Sequence, residues 1–389
     1  MALTMMQQTI PRIAFLGRGA YGETGTNGTL PAIERLIELH EQGEVHIGPN
    51  ILPEVIPDFP PELSERCRAL ICRPTWGGEI TQDLVDRLRV PGRPFVIATL
   101  SAGRSHIKVE PEDTTIIDGG DGNTRQTAEL TIFLAICLLR RVWLPILNMG
   151  FGVYERPESA QTRSLVDLTW TVLGPGKIGT SVLAAASALG VSRLRAYHPD
   201  MDEAKVVEIR RKHQHVPDAV LWTHDLGEAV ADADVVTIHV PLDESSRGMI
   251  NQEVLAEMRD STVLVNVARH ELVDQGALVE ALAHNRLGGY AADVLPKDAE
   301  RHGANPHTPD VPLWKQACWS LVSSIGRCTH NGSLFKDASL ADSFLPTYST
   351  GEKNVILTPH IAGSTYDAEC AVAEKVIADL LVELGIGQP

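Results

Sequence analysis

The sequence predicts an α/β protein built on open parallel sheets with helices on both faces. Three observations carry that expectation. Short runs rich in Val, Ile and Leu alternate with amphipathic stretches along most of the chain, as strands joined by crossover helices do. The pattern restarts after a polar link at 156–163, so more than one domain is expected. A glycine-rich turn at 174–179 lies directly between an apolar run and a helical one. The length of 389 residues suits two or three domains at roughly 100–200 residues each.

Taken in order, residues 12–17 (RIAFLG) read as a strand and 31–40 as a helix, with Pro31 at an allowed first-turn position. ALIC at 69–72, FVIA at 95–98 and TII at 115–117 read as further strands. A helix is expected over 124–141. Its apolar positions Leu130, Ile132, Phe133, Ile136, Cys137 and Leu138 cover much of the circumference, which predicts burial between layers. Beyond the link come a strand at 169–173, a helix at 178–189 and a strand at 194–197. Strands at 235–239, 263–267, 289–294 and 355–358 follow, with helices between most of them, and an amphipathic helix at 365–384 comes last.

Composition narrows the function. Hydrophobic residues at 43% and charged residues at 22% fit a globular chain rather than a disordered one. The 32 glycines and 24 prolines show no collagen-like period. A net charge of −16 argues against nucleic-acid and membrane-surface binding, while leaving room for a local basic pocket that takes one small anion. The start MALTMMQQTIPRIAFLG lacks the basic opening and unbroken apolar core of a signal peptide. The longest greasy stretch, 130–139, is far short of the roughly 20 residues that span a bilayer, so a soluble cytoplasmic protein is expected. Cys67, Cys72, Cys137, Cys318, Cys328 and Cys370 form no CxxC pair and are expected to be reduced thiols. His302, His307, Cys318, Cys328 and His330 lie near one another but lack the tight paired spacing of zinc sites, so they read as scattered loop residues and no metal is expected.

Two segments carry glycines in the GxGxxG pattern. The first, 17–22, follows a strand but runs into ETGTNGTLP, which opens no helix. Without a helix start there is no row of N–H groups to hold a pyrophosphate, so this loop reads as structural or substrate-facing. The second, Gly174-Pro-Gly-Lys-Ile-Gly179, has TWTVL leading in and IGTSVLAAASAL leading out. Gly174 allows the tight turn, Gly176 lets the backbone approach phosphates, and Gly179 permits close helix–strand packing. Lys177 and Ile178 complete the turn. The next strand ends in AYHPD, which places Asp200 about twenty positions on, where an acidic side chain usually takes the adenine ribose hydroxyls.

From this turn onward the chain resembles the D-isomer-specific 2-hydroxyacid dehydrogenases. LGPGKIG, DADVVTIHVPLDESSRGMIN (232–251), STVLVNVARHELVDQGALVEAL (261–282), GGYAADVL (288–295) and NVILTPHIAGST (354–365) match its motifs in order. Upstream, VIATLSAGRSHI (96–107) resembles the substrate-carboxylate loop and GNTRQTAELTI (122–132) the start of the interdomain helix. The likeness covers about 67–384, and the first sixty residues match poorly. It implies two Rossmann-like doubly wound domains with a cleft between them. A flavodoxin-like substrate domain would comprise 1–123 plus 360–389. A dinucleotide-binding domain would span 124–359.

The resemblance also implies roles. Reducing a 2-oxo acid needs a hydride donor, a cation on the carboxylate and carbonyl, and an acid for the developing alkoxide. Arg269 matches the family arginine, whose fork engages a carboxylate while staying charged. His360 matches the acid/base, a role for which imidazole is the side chain best suited at neutral pH. Asp298 stands where the family places a Glu that pairs with this His, with Glu300 as the alternative. Ser101, Ala102 and Gly103 would cradle the carboxylate with their backbone. Arg104 and Arg73 would make that pocket unusually basic, for a substrate with a second anionic group, or else face outward. Val240, Pro241, Ala268 and Asp293 would line the cofactor site. NAD is implied, with NADP possible: His198 replaces the family's ribose-binding Asp, while Asp200 would repel an extra phosphate and Lys205 would reach one. A homodimer formed through the nucleotide domain is implied as well.

Other departures are His270, in place of a glycine after the arginine, and a stretch at 315–352 that the family pattern lacks. QACWSLVSSIG gives that insertion enough apolar residues to pack as a lid or dimer contact. The resemblance also admits two alternatives: a dehydrogenase of a small donor such as formate or phosphite, and a nucleotide-sensing binding protein. The latter would lack the Arg–acid–His set.

Overall fold

The computed structural model describes residues 11–16, 30–51, 67–72, 79–104, 106–110, 112–150, 152, 154, 162–294 and 354–386. The chain forms two compact units, Met1–Asn123 with Gly363–Pro389, and Thr124–Ala362. The turn at 17–22, Arg73, Asp298, Glu300, the His/Cys group from His302 to His330 and the insertion at 315–352 lie outside the described residues.

The first unit runs β1 (Arg12–Leu16), α1 (Pro31–Glu41), β2 (His46–Ile51), β3 (Ala69–Cys72), β4 (Ile80–Thr81), α2 (Gln82–Leu88), β5 (Phe95–Thr99), β6 (Ile107–Lys108) and β7 (Thr114–Asp118). Its five-stranded sheet has the order β2-β1-β3-β5-β7, and its pairings are parallel. Alternate side chains of a strand face opposite ways, so a strand buried on both sides is largely apolar on each. In β1, Ile13 and Phe15 join Ile33, Leu36 and Leu39 of α1 on one face. Ala14 and Leu16 join Leu84, Val85 and Leu88 of α2 on the other.

The second unit opens with α3 (Thr124–Arg140) and α4 (Trp143–Gly150). It continues through β8 (Thr169–Leu173), α5 (Lys177–Ala188), β9 (Arg193–Tyr197), α6 (Glu203–Lys212), β10 (Val220–Thr223), α7 (Leu226–Ala231) and β11 (Val235–Ile238). Then come α8 (Gln252–Glu257), β12 (Val263–Asn266), α9 (Gln275–Ala283), β13 (Gly289–Ala292) and β14 (Val355–Leu357). The seven strands are parallel in the order β10-β9-β8-β11-β12-β13-β14. One face is covered by α3 and α5, which pack Leu134, Leu138, Val182 and Leu183 against Trp170 and Val172. The other takes α7, α8 and α9 through Val230, Leu255, Leu278 and Leu282. The chain then returns to the first unit with α10 (Tyr366–Glu383), whose Val372, Val376, Ile377 and Leu380 sit in the core of that unit.

The structure adds elements that pattern alone did not reveal. HIGPNI forms β2 at a sheet edge, where a proline's missing N–H costs no ladder bond. VLWT likewise forms β10 at an edge, that of the larger sheet. One expectation is corrected. The helix α3 is not enclosed all round: Phe133 is 59% exposed, because the helix lays only one broad side on the sheet. Among the described residues, Cys67, Cys72, Cys137 and Cys370 are free thiols, no helix is long and apolar enough to cross a membrane, and no side-chain group is arranged to hold a metal ion.

Candidate active site

In a parallel α/β sheet the loops that follow the strands gather along one edge, and ligands bind outside it where the chain direction of the crossovers reverses. That reversal falls between β8 and β11. The glycine turn leaves β8 there. Gly174 holds φ +87°, and a Cβ on it would meet the His239 carbonyl oxygen at 2.8 Å. A Cβ on Gly179 would lie 2.3 Å from the Gly174 oxygen. Gly176 differs: a Cβ there would meet nothing within 4 Å. Internal packing therefore explains two of the glycines and leaves the third as an open backbone point. Gly176 is also the N-cap of α5, and no side chain caps that end. An open backbone ahead of an uncapped helix start suits a pyrophosphate, so the turn fits a dinucleotide held by the backbone from Gly176 through Ile178.

The other residues expected at the cofactor lie along the same edge. His198 directly follows β9, and Asp200 lies exposed two residues further on. Val240 and Pro241 follow β11, and Ala268 follows β12. His239, at the end of the β11 run, has both ring nitrogens enclosed and without a hydrogen-bond partner among the described residues. Burial pushes its pKa down to about 3, so the ring is neutral. Its signal was a polar residue ending an otherwise apolar strand run.

Arg269 is set by the loop after β12. Asn266, fully buried, accepts from the Ala268 N–H through Oδ1 at 3.0 Å and donates from Nδ2 to the Arg269 carbonyl at 2.8 Å. One side chain thus folds the turn from both sides. The half-buried Arg269 donates from Nη1 to the Ala268 carbonyl at 2.6 Å. His270 pairs through Nδ1 with Glu271 at 2.9 Å.

His360 is set by the loop after β14, and the agent is Asp293. This carboxylate, only 1% exposed, follows β13. Its Oδ1 accepts from Thr358 Oγ1 at 2.6 Å and from the Ile361 N–H at 2.8 Å. Its Oδ2 accepts from the Ala362 N–H at 2.7 Å. The three donors bracket His360, which takes a left-handed φ of +58° and stands exposed at the top of the turn. Expected at the cofactor, Asp293 directs both oxygens to its own chain. Because β12, β13 and β14 are neighbours, the turns bearing Arg269 and His360 stand two strand spacings apart, roughly 10 Å, on one edge.

In the first unit, the loop after β5 holds Ser101, Ala102 and Gly103, all half-buried. Ser101 Oγ donates to the Gly103 carbonyl at 2.9 Å. With that proton committed, Thr99 Oγ1 donates to Ser101 Oγ at 3.0 Å and accepts from His106 Nε2 at 3.2 Å. His106 also approaches Cys72 Sγ at 3.9 Å. Burial lowers the pKa of this ring and raises the Cys72 thiol to about 12. Arg104 is ion-paired with Asp118.

A twisted parallel sheet with a glycine turn at its crossover reversal defines a dinucleotide-binding α/β protein. Residues 132–325 match the model of the D-isomer specific 2-hydroxyacid dehydrogenase family, NAD binding domain, and the chain belongs to that family. It is 27% identical over 274 residues to D-3-phosphoglycerate dehydrogenase of Archaeoglobus fulgidus, covering 70% of this chain and 41% of the relative. The chain thus spans less than half the length of that relative. Hydroxypyruvate reductase of Thermotoga maritima is 24% identical over 294 residues, covering 75% of this chain and 78% of the relative. A crystal structure of a Thermus thermophilus protein aligns with TM-score 0.64 and 26% identity, covering 97% of this chain and 98% of that one.

Proposed function

We propose that this chain interconverts a small 2-oxo acid and its 2-hydroxy acid with a nicotinamide dinucleotide. The observation that carries this reading is the placement of Arg269 and His360 on turns held by buried Asn266 and Asp293, along the edge that bears the glycine turn. Bound NADH would supply the hydride. Arg269 takes the substrate carboxylate and polarises the carbonyl, its fixed charge being worth most where water is excluded. His360 gives a proton to the developing alkoxide in reduction and takes it back in oxidation. Asp298, or Glu300, pairs with that imidazole and favours its protonated form. The backbone of Ser101, Ala102 and Gly103 receives the carboxylate; Arg73 favours a substrate with a second anionic group, whereas Arg104 is matched by Asp118.

The names of the relatives support this chemistry without choosing the acid. The substrate domain is assigned to the first unit and the cofactor domain to the second. We also read the protein as a cytoplasmic homodimer; the exposed Phe133, Ile146 and Met149 of α3 and α4 support a second copy on that surface. A sedimentation measurement checks the mass. The activity test is NADH consumption with a panel of 2-oxo acids that includes diacids and phospho-substituted acids. Sustained turnover with at least one is expected; stoichiometric binding without turnover would make the chain a nucleotide-binding protein instead.

A further inference from the structure

The end of β9 departs from what a site for NAD ordinarily carries. An acidic side chain there accepts hydrogens from the adenine ribose hydroxyls and repels a 2′-phosphate. In this chain the first residue past the strand is His198, half-buried. The Gly174 N–H donates to the Tyr197 carbonyl at 3.0 Å, so His198 adjoins the glycine turn. Its Nδ1 accepts from the Asp200 N–H at 3.1 Å. A backbone amide can only donate, so the neutral ring carries its proton on Nε2. Burial first, and then the Lys205 ammonium, lower the pKa of this ring, against the opposing pull of Asp200 and Glu208. The strand end therefore offers a neutral N–H donor where a carboxylate would stand.

A cation is close by. Lys205 lies in the first turn of α6, its backbone N–H held by the Asp202 cap at 2.7 Å. Its ammonium donates to Glu208 at 3.3 Å, with both side chains about a third exposed. An ion pair of that kind is worth little and exchanges partners readily. Glu208 keeps Lys212 at 2.5 Å if Lys205 turns away. Asp200, the acid that the sequence offered for the ribose, stands exposed beyond the turn, where water and salt screen its repulsion.

We propose that His198, with Lys205, makes this chain accept the 2′-phosphorylated dinucleotide about as readily as the unphosphorylated one, and that His198 sets the choice. The proposal rests on the dinucleotide site described above. Nε2–H donates to a phosphate oxygen, Lys205 adds its charge, and no carboxylate at the strand end turns the phosphate away.

Fluorescence titration of the full chain with NADH and NADPH at pH 8 tests it. The expected Kd for NADPH is no more than about tenfold above that for NADH. His198→Asp should weaken NADPH relative to NADH by about tenfold or more, and Lys205→Gln should move the ratio the same way by less. A wild-type preference for NADH beyond that margin overturns the proposal, as does a ratio unmoved by His198→Asp in a variant with unchanged circular dichroism. A larger shift from Asp200→Asn than from His198→Asp would give the choice to Asp200 and also overturn it. If neither nucleotide binds, the dinucleotide site itself falls; if NADH alone binds, that site stands and only the proposal fails.

Discussion

At the C-terminal edge of the larger sheet, Arg269 and His360 stand on turns fixed by buried polar groups, one from the strand that leads into the turn and one from the strand beside it. Asn266 folds the turn of Arg269, and Asp293 spans from β13 to the turn of His360. At the same edge of the smaller sheet the support is lighter. A chain of neutral bonds runs from His106 through Thr99 and Ser101 to the Gly103 carbonyl, and Arg104 is matched by Asp118. Under the proposed roles, the contrast separates two tasks. Side chains that move protons or polarise a carbonyl must be held against their own flexibility, and a buried carboxylate with three donors does that. A loop that offers only backbone N–H groups needs no more than a fixed bend.

The sharpest way to break this contrast is at Arg269. Arg269→Lys keeps the charge but loses the planar fork, and kcat/KM for the preferred 2-oxo acid should fall about a hundredfold. Equal values for the two proteins would remove Arg269 from the reaction. Asp293→Asn comes next. One acceptor oxygen becomes an N–H2 group facing N–H donors, and His360 is held in a conformation that costs a residue with a side chain about 1 kcal/mol. We expect kcat to drop about tenfold, with KM moving less and the pH profile of kcat displaced. A loss of thermal stability with unchanged kcat would make Asp293 structural only.

Acid provides a third test of the larger unit. The His239 ring has a folded-state pKa of about 3, against 6.5 for the exposed ring. The unfolded chain therefore takes up a proton first as pH falls, and stability present above about 6.5 is lost below it. Between pH 6.5 and 5 the loss should be on the order of 2 kcal/mol from this residue alone. Urea melts of the wild type and of His239→Gln check this; the substituted chain should show a shallower fall over that window. The smallest effect is expected in the other unit. Thr99→Val cuts the link between Ser101 and His106, and KM for the oxo acid should rise about threefold with kcat nearly constant. A loss as large as that at Asp293 would erase the distinction between the two edges.

Much of this was legible in the chain. The apolar runs at β1, β3, β5, β8, β11 and β12 announce strands because both of their faces are buried, which favours apolar residues on each. The glycines at 174 and 179 are demanded by local geometry, so their spacing alone points to the turn. Edge strands β2 and β10 were hidden because one side of each is unpaired and tolerates proline or polar residues. The exposure of Phe133 cannot be read from the sequence, because an apolar helix face looks the same whether it meets a sheet or stands in solvent.

The sequence by itself determined the α/β alternation, the glycine turn and the residue types able to hold an anion and move a proton, because these follow from local spacing and side-chain chemistry. Only the tertiary structure decided that Asp293 holds the His360 turn, that Asn266 holds that of Arg269, and that His198 offers a donor at the end of β9. The first depends on which strands become neighbours, because Asp293 and the His360 turn are far apart in the chain; the other two depend on which lone pair meets which N–H within a turn, which residue spacing alone does not fix.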